Sequence, residues 1–355
     1  MRVGLICPYS LTVPGGVQGQ VLGLARSLRH LGHDARVLGP CDGPPPDGGV
    51  TPLGRSIPTR ANGSVAPVAP DPSCQLRTIR ALRDEGFDVL NLHEPLVPGP
   101  CMTAILFRNA PIVGTFHAAG GSAAYRYLNW GVRKLASRLD HRCAVSEDAR
   151  KMAHDALGGD YTLLFNGIEV DRFAKAEPWP SEGPTIFFVG RHEPRKGLTV
   201  LLEAMQLLPS DVRVWVAGDG PETSALQSQY GHDGRIEWLG RIDDHEKASR
   251  LRGADVFCAP SLRGESFGVV LLEGMAAQTP VVASDLPGYH NVARSGADAI
   301  LVPPGDAAAL ADALAKVLEN PTCAERLVAS GRERAEEFSM DNLAAKYADL
   351  YERIR

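Results

Sequence analysis

The sequence predicts an α/β chain built as two doubly wound halves of roughly equal size. Three observations carry that expectation. Short, continuous apolar runs alternate with amphipathic helical patterns along the whole chain, as buried parallel strands and their crossover helices require. A length of 355 residues exceeds what one ordinary core organises. The alternation also starts afresh after AKAEPWPSEGP, a Pro- and Glu-containing stretch that reads as a linker. The expected division is 1–168 and 169–338, with 339–355 a terminal helix that crosses back to the first half.

The first strand is RVGLICPYS, apolar along its length. LTVPGG turns the chain into a helix. Its Val17, Val21, Leu24, Leu28 and Leu31 recur at the spacing of one apolar face, and Gly32 is placed to end it. DARVLGP is the next strand, and a strand–helix–strand unit of this kind implies parallel pairing. Residues 39–72 hold nine of the 27 prolines and many glycines, and are expected to form one long irregular loop. FDVLNLHEP, PIVGTFH, HRCAVSE and YTLLFNGI continue the strands. In the second half, TIFFVGR, VRVWVAGDG, RIEWLGR, DVFCAPS and PVVASD read as strands. GLTVLLEAMQLL, EKASRLRG, FGVVLLEGMAA and DAAALADALAKVLEN read as helices. SMDNLAAKYADLYERIR closes the chain as a helix capped by Ser339, with Leu343, Tyr347, Leu350 and Tyr351 on one face.

Composition narrows the class. No window approaches 18 consecutive apolar residues, so no membrane-spanning helix is expected. MRVGLICPYS lacks the charged start, apolar run and cleavage site of a signal peptide, so a cytoplasmic location is expected. The seven cysteines are scattered without a C-x-x-C pair, which supports neither a structural zinc nor a disulfide framework. Asn62-Gly63-Ser64 fits a glycosylation acceptor, a match that carries no weight without secretion. The net charge of −5 is uneven: residues 1–168 hold 17 Lys+Arg against 13 Asp+Glu, and residues 169–355 hold 20 against 29. A basic first half suits an anionic partner there, though scatter fits equally. Nothing points to a nucleic-acid partner, and the oligomeric state is not legible.

In open parallel sheets, ligands bind beyond the carboxyl ends of the strands. The polar signals sit at those ends: Gly15-Gly16, His93-Glu94, His117, Asn166-Gly167, Arg191, Gly218 and Glu265. Two such edges facing each other would make a cleft. PGGVQGQ after the first strand does not fit G-x-G-x-x-G, and no G-x-x-x-x-G-K-[ST] exists, which disfavours a dehydrogenase or P-loop enzyme. GGV still opens a helix, where glycine lets backbone amides approach an anion; a plain turn explains it equally. In GRHEPRKG, Arg191 and Lys196 flank a short loop and are suited to a diphosphate, or to a merely solvated surface. GESFGVVLLE sets Glu265 before an expected helix start at Ser266-Phe267-Gly268 and Glu273 two turns inside. Glu265 then faces whatever hangs from a phosphate on the first-turn amides, and Glu273 suits the two hydroxyls of a ribose. A helix-dipole acid and an ordinary surface glutamate are the plainer explanation.

Taken together and in this order, PGG, TFH, GRHEPRKG and the E-x7-E element of GESFGVVLLE resemble glycosyltransferase family 4 over nearly the whole chain. CPYSLTVPGGVQ, FDVLNLHEP and DDHEKASRLRGADVFCAP are most similar to the lipid-modifying inositol mannosyltransferases of actinobacteria. The resemblance implies the GT-B fold, two Rossmann-like doubly wound domains facing a central cleft, with an acceptor-side first domain and a nucleotide-sugar second domain. It implies retaining mannose transfer from GDP-mannose to phosphatidylinositol. By matching motif, Gly16, Arg191 and Lys196 would bind the donor diphosphate. Glu265, Phe267 and Gly268 would meet the sugar, Glu273 the ribose, and Ile242, Asp244 and Lys247 the base. His117 would sit at the reaction centre, and Tyr9 on the acceptor side. Asp244 suits guanine, whose N1–H and 2-amino group one carboxylate accepts together; it suits equally a cap on the helix near His245. His117 also fits a satisfied loop histidine. Family members typically use no carboxylate nucleophile, though Glu265 remains open in that role. No D-x-D motif is present, so a divalent ion is not indicated.

CQLRTIRALRDEG places Arg77, Arg80 and Arg83 beside Leu76, Ile79 and Leu82. YRYLNWGVRKLASR mixes Tyr125, Tyr127 and Trp130 with Arg126, Arg133, Lys134 and Arg138. Both suit an anionic phospholipid surface on the inner face of the membrane, and both fit ordinary surface helices. Departures from the family concern the acceptor. Thr12 stands where an acid precedes VPGG, AAGGSAAY follows TFH in place of threonines and a lysine, the helix of the lipid face is less basic, and GRHEPRKG is one residue shorter. A UDP- or ADP-sugar transferase with another lipid or a soluble acceptor, and a non-catalytic nucleotide-sugar-binding relative, are the alternatives.

Overall fold

The computed structural model describes residues 1–61, 64–117, 129–265 and 267–355. Asn62-Gly63, the segment after TFH as far as 128, and Ser266 lie outside the described residues, and with them Tyr125, Arg126 and Tyr127. The chain divides into two compact units: Met1–Gly167 with Met340–Arg355, and Ile168–Ser339.

In the first unit the order is β1 (Arg2–Ile6), α1 (Gly16–His30), β2 (Asp34–Gly39), β3 (Val50–Pro52), β4 (Ile57–Ala61), β5 (Ser64–Val68), α2 (Pro72–Glu85) and β6 (Val89–His93). Then follow α3 (Pro100–Phe107), β7 (Ile112–Phe116), α4 (Asn129–Ala136), β8 (His141–Ala144), α5 (Glu147–Leu157) and β9 (Thr162–Leu163). The main sheet runs β3-β2-β1-β6-β7-β8-β9, with the described pairs parallel. Its connectivity reverses between β1 and β6, which puts the switch point of a doubly wound sheet there. The period-2 geometry divides β1 between two cores: Val3 and Leu5 pack into one, Ile6 into the other.

Residues 39–72 are not the single irregular loop expected from their proline content. β3 extends the main sheet, and β4 pairs antiparallel with β5 through Ile57↔Val68, Pro58↔Pro67 and Thr59↔Ala66. Each strand of this ribbon has an edge outside the pair, where proline's missing N–H breaks no ladder bond, and on β5 that edge still accepts the Ser10 amide at the Pro67 carbonyl, 2.8 Å.

The second unit begins with α6 (Val170–Ala174). β10 (Thr185–Val189), α7 (Leu198–Met205), β11 (Arg213–Ala217), α8 (Thr223–Tyr230), β12 (Ile236–Gly240) and α9 (Asp244–Gly253) follow. β13 (Val256–Ala259), α10 (Val269–Ala276), β14 (Val281–Ser284), β15 (Ile300–Val302), α11 (Ala307–Glu319) and α12 (Pro321–Glu337) complete it. Its sheet, β12-β11-β10-β13-β14-β15, is parallel and reverses at β10. The stretch that reads as a linker is docked on this unit. Arg250 lies between the Trp179 and Trp215 rings, 4.2 and 4.6 Å from their centroids, and the Trp179 amide donates to the Ser249 carbonyl at 2.9 Å.

The last helix, α13 (Met340–Ile354), belongs to the first unit. Leu343, Tyr347, Leu350 and Tyr351, the face read from the sequence, are buried in the core with α1. Apolar packing is joined by a polar network. Asn91 Nδ2 donates to the Tyr351 hydroxyl at 2.8 Å, Thr115 Oγ1 donates to Asn91 Oδ1 at 2.8 Å, and the Thr115 and Tyr347 hydroxyls are 3.2 Å apart. Asn91 and Thr115 stand on adjacent central strands, so the helix is keyed to the middle of the sheet. Tyr351→Phe keeps the ring and strips the acceptor from a buried amide N–H. We expect protection of the β6 amides in hydrogen exchange to fall by about 1–3 kcal/mol.

Candidate active site

On the first unit, the carboxyl edge of the sheet carries three sequence-predicted residues. Gly15 is extended and caps α1 with no side chain, and the first turn holds no acid, so the amides at the positive end of the helix keep no local carboxylate. A Cβ on Gly16 would meet nothing within 4 Å, so that flank is open to an approaching anion. Gln18, in the first turn, donates to the Val13 carbonyl at 3.1 Å and holds the preceding loop from inside. Thr12 is used within that loop: its Oγ1 lies 3.1 Å from Ser10 Oγ and accepts the Asp42 amide at 2.9 Å. Tyr9 forms a bridge with Val68 and packs against the α1 core. Burial, with Glu94's charge adding to it, pushes its phenol well up, so the hydroxyl stays a donor.

His117 follows β7. Its Nε2 lies 2.9 Å from Nδ1 of His93, the last residue of β6, and its backbone N–H donates to Glu94 Oε1 at 2.8 Å. Burial pushes His117 down to about 3; burial and then His117's own charge push His93 well down. Both rings are therefore neutral at neutral pH. His93 and Glu94 belong to this cluster; the sequence marked them as polar residues at a ligand-facing strand end but gave them no individual role.

On the second unit, the basic loop follows β10. Gly197, with φ +67, lies so close to the next crossover that a Cβ would stand 1.9 Å from the Pro260 carbonyl oxygen. Leu262 N–H donates to the Arg195 carbonyl at 2.7 Å. This lamination brings Lys196 Nζ to 2.7 Å from Glu265 Oε1. The same oxygen accepts Ser261 Oγ–H at 3.0 Å, with Tyr289's hydroxyl donating in turn to Ser261 at 3.2 Å. Arg195 stands 3.5 Å from Glu265 and 2.7 Å from Glu193. It is a cation that the motif reading of the loop did not select. Arg191 is exposed and, among the described residues, has no side-chain partner.

α10 starts at Val269, later than expected, because Gly268 adopts φ +100. A Cβ there would lie 2.9 Å from Tyr289 and 3.0 Å from Val292, so both space and conformation demand glycine. Glu273 consequently lies one turn into the helix, not two. Phe267 is buried against Phe338 in an edge-on contact at 5.6 Å, so only its backbone is available to a ligand. Glu273 Oε1 is 2.8 Å from Lys247 Nζ, which lies 3.7 Å from Asp244. Asp244 also pairs with Arg172 at 2.8 Å, a residue with no sequence signal of its own. The capping alternative for Asp244 is overturned: Asp243 caps α9, accepting the Glu246 amide at 2.8 Å, and Asp244 is the first helical residue. Ile242 lies half-buried in the loop ahead of that cap. Two lysines thus hold two glutamates, one before and one inside α10.

The positions expected to face lipid are partly spent on internal contacts: Arg77 donates to the Leu53 carbonyl and Ser73, while Arg80 and Arg83 share Asp84. Arg133 and Arg138 tie down backbone carbonyls of Ala156 and Ile105. Leu76 remains exposed and Leu82 is buried. Among the described residues no helix is long and apolar enough to cross a membrane.

Comparison with known proteins defines the class. Residues 14–172 match the family described as Glycosyltransferase Family 4, and residues 169–334 match Glycosyl transferases group 1. The fold matches that of Anabaena HepE, solved with UDP and glucose, with a TM-score of 0.75 at 17% identity over 99% of this chain and 100% of that one. The chain is thus a glycosyltransferase of GT-B fold. It is 43% identical to the phosphatidyl-myo-inositol mannosyltransferase of Mycobacterium leprae, and 42% identical to that of Mycobacterium tuberculosis, each over 100% of this chain and 97% of the relative. The chain belongs to the phosphatidyl-myo-inositol mannosyltransferase family.

The histidine cluster has a consequence for stability. Below pH ~6.5 the unfolded chain takes up protons that the folded His93–His117 pair refuses, because the folded pKa values lie below the unfolded ones. Their contribution is complete above ~6.5 and is lost as pH falls toward 3. We expect wild-type stability to decline on acidification from pH 7 to 4, and His93→Asn to flatten that decline by up to about 1.4 kcal/mol per pH unit, read by chemical unfolding across the range.

Proposed function

We propose that the chain transfers mannose from GDP-mannose to the inositol of phosphatidylinositol, with retention at the anomeric carbon, working peripherally at the inner face of the membrane. The observation that carries this reading is the full-length identity of 42–43% to phosphatidyl-myo-inositol mannosyltransferases. The paired Lys196–Glu265 and Lys247–Glu273 side chains support its donor half.

On the second unit, Arg191 and Lys196 bind the donor diphosphate. Lys196 has three N–H donors and gives one to Glu265, so two remain for phosphate oxygens. Glu265 accepts hydroxyls of the mannose, with the Phe267 and Gly268 backbone beside it. Glu273 accepts the ribose hydroxyls. Asp244 receives guanine N1–H and the 2-amino group, with Ile242 and Lys247 lining the base. On the first unit, Gly16 and the α1 amides meet the diphosphate, His117 the donor sugar, and Tyr9 the acceptor. Exposed Leu76, Arg80 and Arg83 on α2 suit contact with anionic lipid.

In the transfer, the bond between the anomeric carbon and the β-phosphate oxygen breaks, leaving negative charge on GDP and an oxocarbenium-like sugar. Fixed cations and helix amides stabilise that charge as it develops. The inositol hydroxyl forms the new bond on the face the diphosphate leaves, and its proton passes to the departing phosphate oxygen. Glu265 serves the sugar, not as a nucleophile: one of its oxygens is held by Lys196 and Ser261.

Lys196→Ala is expected to weaken GDP binding by about 1.5–3 kcal/mol by calorimetry, the loss of a charged hydrogen bond. Unchanged affinity would remove Lys196 from the diphosphate. GDP is expected to bind more tightly than UDP; the reverse order would sink the guanine assignment. Labelled GDP-mannose offered to phosphatidylinositol, other lipids and free polyols tests the acceptor, with label expected in phosphatidylinositol alone.

A further inference from the structure

The placement of His117 against the donor sugar, on which this inference rests, leaves open which of its nitrogens carries the proton. An imidazole is useful there only in the right tautomer. His117 Nε2 and His93 Nδ1 are 2.9 Å apart, so one donates to the other. His93 is 2% exposed, and among the described residues its Nε2 has no hydrogen-bond partner. A proton on that Nε2 would be an unsatisfied buried N–H, whereas a bare lone pair there is the smaller loss. His93 therefore keeps its proton on Nδ1 and donates it to His117 Nε2. His117, accepting there, carries its own proton on Nδ1.

Glu94 adds a second restraint. Its carboxylate accepts the His117 backbone N–H at 2.8 Å, and its own N–H donates to the Thr115 carbonyl at 2.8 Å. It does so buried and at φ +51, a left-handed conformation that a non-glycine residue holds only when its surroundings impose it. One strand end thus fixes the ring nitrogen and the backbone of His117 together.

We propose that His93 and Glu94 are positioning residues that hold His117 as its Nδ1–H tautomer, so that it meets the donor sugar as a neutral hydrogen-bond donor and not as a base. The low proton affinity of both rings agrees with this, since neither becomes an imidazolium at neutral pH.

Two-bond proton–nitrogen correlation on the 15N-histidine-labelled full chain tests it. The His117 resonances are assigned by their loss in His117→Asn. The wild-type spectrum at pH 7 is expected to show His117 protonated on Nδ1; an Nε2–H pattern overturns the proposal without any positioning variant. His93→Asn, whose amide N–H stands near the lost Nδ1–H, is expected to keep that pattern and to keep kcat within about threefold. His93→Leu is expected to lose the pattern and to lower kcat by about tenfold or more with little change in donor KM. Glu94→Gln, which still accepts the His117 N–H through its carbonyl oxygen, is expected to retain both. An unchanged His117 pattern in His93→Leu overturns the proposal, whatever the activity. A changed pattern with full activity upholds the positioning and removes His117 from the sugar instead.

Discussion

Parallel strand pairing is the constraint on which the rest of this molecule depends. A parallel strand is followed by a crossover, and the loop that begins each crossover leaves from the same edge of the sheet. Both sheets here are parallel and both reverse direction at their first strand, β1 in one unit and β10 in the other. Residues far apart in sequence are thereby gathered. In the first unit, Tyr9, Gly16, His93, Glu94 and His117 all leave strands at that edge. In the second, the loops after β10 and β13 do, and the near contact of Gly197 with the Pro260 carbonyl sets their separation. The chemistry is assembled by topology first and refined by a few close backbone approaches.

The charged groups are held before any substrate arrives. Lys196–Glu265 and Lys247–Glu273 are short, partly buried pairs. Such pairs contribute little net stability, because desolvation offsets much of their attraction. Their value lies in geometry. Each glutamate keeps one oxygen engaged and the other directed elsewhere, and each lysine retains N–H donors for a ligand. In the donor role proposed for them, fixed dipoles and charges of this kind would need no reorganisation as charge develops during transfer.

How much of this was legible depended on whether the signal was local. The strands of both sheets announced themselves as apolar runs, and α1 and α13 as faces of regular spacing. β15 is three residues long and β3 is no longer, too short for periodicity to register. The β4–β5 ribbon hid behind its prolines, which mark loops unless the strand has free edges. α12 carries many charges and showed no continuous apolar stripe. At the site, Glu265, Glu273, Lys196 and Lys247 were readable because a motif carries them, and the structure brings them together in pairs. Arg172, Arg195 and the His93–His117 contact depend on tertiary approach, for which a single sequence holds no spacing rule. Asp243 and Asp244 are both acids at a helix start, and only the backbone decides which of them is the cap. Phe267 shows the opposite case, a residue inside a motif whose side chain packs into the core and leaves its backbone for the proposed donor contact.

The terminal helix gives the molecule an unusual order of completion. The first unit is discontinuous: its core includes Tyr347 and Tyr351, and the amide of Asn91 finds its partner on Tyr351. The second unit is a single uninterrupted stretch. During synthesis, then, the unit whose strands emerge first from the ribosome cannot finish closing until Met340–Arg355 follow them. The half made later holds everything it needs as soon as Ser339 is clear. Nascent domains ordinarily mature from the amino terminus onward; here the earlier one waits with an open face, and that interval is when it most needs protection from aggregation.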